Sequence, residues 1–141
     1  GVEGAGELRA DPAFLFAALS HPAWYVVRNA AALLGAMGVE SADQPLIRCI
    51  VHADSRVRVA ATRALGALET STAIEGVRLA VTDRSAEVRR VAWRALRRSP
   101  RAPQEPCPLL ADALLQERDV DVLRELVLIV QRMPQCATTQ A

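Results

Sequence analysis

The residues best equipped for recognition chemistry are arginines, gathered on three evenly spaced segments. Residues 24–37, 55–68 and 86–99 hold nine arginines against one acid, Glu87, while the remaining segments hold eight arginines and fifteen acids. The formal net charge of +1 conceals this division. All 17 basic residues are arginine, whose planar fork of donors suits phosphates and carboxylates. Trp93 stands among Arg89, Arg90, Arg94 and Arg97, where an indole can stack on a base or anchor a protein contact.

Other chemistry is sparse. His21 and His52 share one position of a repeat whose third copy carries Asp83 there, and read as turn residues that cap helices. No HExxH and no nearby Glu or Cys completes metal-ligand spacing, so no metal site is expected. Cys49, Cys107 and Cys136 are far apart with no CxxC, which reads as reduced thiols in a cytoplasmic protein. Cys107 lies in a proline-rich loop without a neighbouring histidine; Cys49 reads as a partly buried packing residue. There is no glycine-rich phosphate loop, no GxSxG and no histidine pair on one helix face. The expectation is a non-catalytic protein without cofactor. At 51% apolar and 23% charged the chain is a folded domain, and no apolar run reaches the ~20 residues a membrane span needs. Nothing in the opening residues has the pattern of a secretion leader.

These side chains are positioned by a repeat with a period of 31. Sliding the sequence by one period superposes Val26, Val57 and Val88, then Ala30, Ala61 and Ala92, then Leu33, Ala64 and Ala95, then Leu34, Leu65 and Leu96. Upstream, Leu15, Leu46 and Val77 align, as do Leu19, Ile50 and Val81. A fourth copy follows at a spacing of 34, with Val122, Leu126, Ile129 and Val130. The extra length falls in or beside Ser99–Pro108, which holds four of the eight prolines and reads as an extended surface loop. The offsets i, i+4, i+7 and i+8 make one stripe of a helix, and the upstream pair makes a second, shorter helix. Helices are expected at 12–19, 41–51, 71–81 and 108–116 (A helices) and at 23–37, 55–68, 85–98 and 119–133 (B helices). Pro12 suits a first turn, Ser41, Ser71 or Thr72, Ser55 and Ser85 suit N-caps, and Gly38 suits a C-terminal stop. The fold class is all-α.

The strings VVRNAAALLGAMG, DSRVRVAATRALGAL and AEVRRVAWRALRR resemble helix B of HEAT-type repeats, especially the short bacterial HEAT-like repeats also seen in phycobilisome lyases. The resemblance covers residues 11–99 closely and 108–133 more loosely. It implies an α-solenoid, a right-handed superhelix of four two-helix units at about 11–38, 41–68, 71–98 and 108–133, with the B helices lining a concave side. Residues 1–10 then read as a flexible lead-in, 134–141 as a frayed tail, and the chain as one piece of a longer protein. DNA glycosylases and phycobilin lyases are built on similar repeats. A glycosylase needs a carboxylate among the outward B-helix residues, and none is expected there.

Placing residues at 100° intervals sets Arg28, Ala31, Ala32 and Gly35 opposite the apolar stripe of the first B helix. The second offers Val59, Thr62, Arg63 and Gly66, the third Arg90, Trp93, Arg94 and Arg97, and the fourth Arg124, Val127, Leu128 and Gln131. The expected feature is a shallow basic groove formed by Arg28, Arg63, Arg90, Trp93, Arg94 and Arg97. Arg58 and Arg89, at helix starts, read instead as paired with Asp54 or Asp83. Trp24 and Tyr25 read as packing at a helix junction. The leading function is a protein-interaction scaffold that offers this face to an acidic partner, the alternative is nucleic-acid binding through it, and a lyase or glycosylase comes third.

Overall fold

A computed structural model describes residues 11–100 and 107–132. The expected lead-in 1–10, the tail 134–141 with Cys136, and the centre of the proline-rich insertion lie outside the described residues. The described chain forms α1 (Ala13–Ala18), α2 (Trp24–Ala36), α3 (Asp43–Cys49), α4 (Ser55–Leu68), α5 (Ser71–Ala80), α6 (Ala86–Arg98), α7 (Cys107–Gln116) and α8 (Val120–Arg132). A 3-10 turn, Glu40–Ala42, leads into α3. Each odd helix packs on the even helix that follows it, and α2, α4, α6 and α8 pack in succession. Stacked hairpins of this kind bury a continuous core that no single hairpin could bury alone, which is the architecture of an α-solenoid.

The turns repeat as closely as the helices. His21 Nδ1 accepts the Ala23 N–H at 3.0 Å, His52 Nδ1 the Asp54 N–H at 3.0 Å, Asp83 Oδ1 the Ser85 N–H at 2.8 Å and Glu117 Oε2 the Asp119 N–H at 3.1 Å. The two histidines therefore hold the turns before α2 and α4. Three caps differ from expectation. Asp54, not Ser55, caps α4 by accepting the Arg56 N–H, and Thr70, not Ser71 or Thr72, caps α5 through the Ala73 N–H. Ser85 does occupy the N-cap of α6 as expected, without a side-chain bond, and gives its own N–H to Asp83. Ser41 lies inside the 3-10 turn. Gly38 ends the first hairpin helix with φ +67°, a conformation that costs a Cβ-bearing residue more. Cys107 opens α7 instead of lying in a loop.

Small residues set the spacing of the B layer. A methyl group added at Gly35 would lie 2.7 Å from Ala64 Cα, and one at Gly66 would lie 2.8 Å from Ala95 Cβ. Helices α2, α4 and α6 thus approach closely, alanine against glycine. Val57, Val88, Val122, Ala61, Ala92 and Leu126 fill the expected core positions. The first unit departs: Val27 is buried and Val26 only half-buried. Val27 occupies the position that holds Arg58 and Arg89 in the next two units, so an apolar residue there turns inward.

Candidate partner-binding groove

Charge in the B layer goes first to joining units. Arg58 is 4% exposed and gives Nε and Nη2 to the Asp83 carboxylate at 2.9 and 3.2 Å, and Nη1 to the carbonyls of His52 and Ala53. One unit later, Arg89 grips Glu117 through Nε and Nη2 at 2.8 and 2.9 Å. That hydrogen-bonded pairing lowers the Glu117 pKa, against partial burial that raises it, and lifts that of Arg89. Arg58 resolves to Asp83, one of its two expected partners; Arg89 takes Glu117 instead, with the Asp83 carbonyl as a further acceptor.

The expected basic groove is redrawn. Trp93 does not face outward: it is fully buried in the core, as are Ala31 and Thr62 at the same repeat position. Gly35 is buried against the next B helix, and Gly66 likewise meets its neighbour. The physical reason is that a solenoid B helix is covered on three sides, by its own A helix and by the B helices before and after it. A single apolar stripe underestimates that coverage. Arg94 and Arg97 each donate Nε at 3.0 Å to the two oxygens of Glu125, itself only 4% exposed. Arg90 lies 3.8 Å from Glu87. Arg28 stands apart in the first unit, bonded to Asn29 Oδ1 and 5.0 Å from the Trp24 ring centroid. Arg56 lies over the same ring at 3.4 Å, so two guanidinium groups are within cation–π reach of Trp24. Arg56 also bonds Asp54, holding that carboxyl at about 2.

Of the six expected site residues, Arg94 meets Arg97 on Glu125, shares one cleft with Arg90 and shares another with Arg63. Arg63, Arg94 and Arg98 line a groove of about 340 Å³ between α4 and α6, together with Gly66, Ala67, Val91 and Ala95. Glu69 is also part of its lining. Among the described residues neither Arg63 nor Arg98 has an ion-pair partner, and the Arg94 side chain stays 45% exposed beside Glu125. A second cleft, of about 530 Å³ between α6 and α8, carries Arg90, Arg94 and Arg124 but also Glu87, Asp119, Asp121 and Glu125. Its four carboxylates outnumber its three arginines, so it does not favour an acidic partner.

Two residues of this surface escaped the sequence reading. Arg98 follows the α6 arginines, and its exposure depends on where that helix ends. Glu125 is the lone acid in the apolar run LRELVLIV, on the B helix that follows Arg94 and Arg97. As the one acid of that mainly apolar stretch, beside Arg124, it carried a signal. Cys49 is buried and free, and burial, against the lowering effect of Arg48, raises its thiol pKa. Among the described residues no helix is long and apolar enough to cross a membrane.

A stack of two-helix units joined turn to turn is the arrangement of a repeat protein, and the sequence matches HEAT repeats over residues 12–97 and again over 52–131. The chain belongs to the HEAT-repeat family. Among solved structures it is similar to the crystal structure of an engineered protein, at 23% identity and a TM-score of 0.59. The match covers 82% of this chain and 59% of that one, so this chain spans less than two thirds of its length. That likeness shows the fold. No curated protein matches the chain.

Proposed function

We propose that this chain is a non-catalytic interaction module that holds an acidic segment of a protein partner in the α4–α6 groove. HEAT repeats offer extended surfaces to protein partners, and the repeat array is what the family match covers. The observation that carries the reading is the pairing pattern. Arg58, Arg89 and Arg97 are committed to carboxylates of neighbouring units, whereas Arg63 and Arg98 line the groove without an ion-pair partner among the described residues, and Glu69 is the one carboxylate of its lining. Small lining residues admit a close backbone, and the guanidinium forks suit carboxylates along it. The buried free thiol of Cys49 accords with a reducing, cytoplasmic setting.

Nucleic acid fits less well, because the one indole expected on the basic face lies inside the core and cannot stack on a base. The test is fluorescence anisotropy with a labelled glutamate-rich peptide and a labelled DNA duplex at two salt concentrations. The reading expects peptide binding that weakens at least tenfold in Arg63→Ala/Arg98→Ala. It expects little change in Arg124→Ala, whose side chain is 75% exposed and lies outside the groove. Tighter binding of duplex than of peptide, falling steeply with salt, would replace this reading with nucleic-acid recognition.

A further inference from the structure

Trp93 is fully buried, and its indole N–H has no hydrogen-bond acceptor among the described residues. The repeat sets it apart. Ala31, at the same position of the first unit, carries no polar group, and Thr62, in the second, gives its hydroxyl to the Arg58 carbonyl of its own helix at 2.7 Å. A buried donor left unmatched costs stability, and native interiors keep few of them. Trp93 also lines a cavity of about 360 Å³, bounded by the residues that follow α5, by α6 and by α7. In the A layer α3 packs on α5, whereas α7 makes no comparable contact with α5, and the cavity lies at that junction. Its volume is within the range of pockets that take small molecules.

The lining says what chemistry fits. Most of its charge is already spent. Glu117 is held by Arg89, whose third nitrogen holds the Asp83 carbonyl, and the Asp83 carboxylate is held by Arg58. Asp112 differs: it is exposed, lines the cavity, and has no hydrogen bond or ion pair among the described residues. Val81, Leu109 and Ala113 add an apolar part. A ligand that matches these groups has a cationic nitrogen for Asp112, an acceptor oxygen for the Trp93 N–H and a short apolar body between them. A carboxylate on the ligand would be repelled, since the lining holds Asp83, Asp112 and Glu117 against the single guanidinium of Arg89.

We propose that this cavity is a binding site for a small primary amine that carries an acceptor oxygen and no carboxylate, the chemistry of an amino-acid amide. It shares no lining residue with the α4–α6 groove and does not depend on the acidic-partner reading. Proton–nitrogen NMR of isotope-labelled protein tests it, because the chain holds only Trp24 and Trp93 and Trp24→Phe tells their indole N–H signals apart. The probe is leucinamide, and the control is isocaproamide, the same molecule without its amine. Leucinamide is expected to move the Trp93 indole signal downfield, saturably, and to leave that of Trp24 in place. Isocaproamide is expected to bind at least tenfold more weakly, and Asp112→Asn, a change at an exposed residue, to weaken leucinamide at least tenfold. A Trp93 signal unmoved by leucinamide and by the amides of alanine and phenylalanine would overturn the proposal. So would equal binding of isocaproamide, or undiminished binding of leucinamide by Asp112→Asn.

Discussion

The guanidinium of Arg58 closes on the carboxylate of Asp83 in the next unit, while its remaining nitrogen holds the carbonyls of its own turn. Asp83 in turn accepts the Ser85 N–H. One buried contact thus fixes the turn before α4, the turn before α6 and the distance between them. Removing one partner leaves a buried charge without its match, which costs about 3–5 kcal/mol. Arg58→Ala is expected to lose that much in urea denaturation. The double variant Arg58→Ala/Asp83→Ala should lose clearly less than the sum of the two single ones, and strict additivity would contradict a direct pair.

Glycine at the B–B contact is a packing choice. In an open helix Gly→Ala gains up to about 1 kcal/mol of helix propensity. At Gly35 the new methyl would meet the Ala64 backbone at 2.7 Å, and such overpacking costs about 1–3 kcal/mol. Gly35→Ala is expected to be destabilising, and a stabilised variant would show that α2 and α4 are further apart than described.

Trp93 contributes volume to the core, so Trp93→Ala should cost about 3–5 kcal/mol. Leu65→Ala, in the middle of the stack, should cost about 2–5 kcal/mol. With Trp24 changed to Phe, the emission of the remaining indole should be blue-shifted and resist quenching by acrylamide. Quenching as easy as that of free tryptophan would return Trp93 to the surface.

The turn carboxylates set the acid limit. Asp54, bonded to Arg56, is held at about 2, and Glu117 is held below its usual range by Arg89. Both folded-state values are depressed. Their stabilisation is therefore complete above the unfolded values of about 3.9 and 4.3 and is lost as pH falls toward the folded ones. Urea midpoints of the wild type should decline below about pH 4.3. Glu117→Gln, less stable at neutral pH, should decline less steeply, and parallel curves would remove Glu117 from the account.

The strict repeat period made the helices legible, because one apolar stripe per unit is enough to fix their phase and nearly their ends. The groove was legible only in part. Which arginines remain available depends on carboxylates brought near by stacking, and Glu125 reaches Arg94 and Arg97 only once α8 packs on α6. Trp93 was misplaced for the same reason, since the face it occupies is covered by the following unit. Two caps erred by one residue because Asp54 and Thr70 stand beside serines that cap at least as well.

The most direct test of the groove is a charge exchange. Arg63→Glu/Arg98→Glu should lose affinity for a glutamate-rich peptide and acquire affinity for an arginine-rich one, both read by titration calorimetry at fixed salt. Undiminished binding of the acidic peptide by this variant would contradict the account.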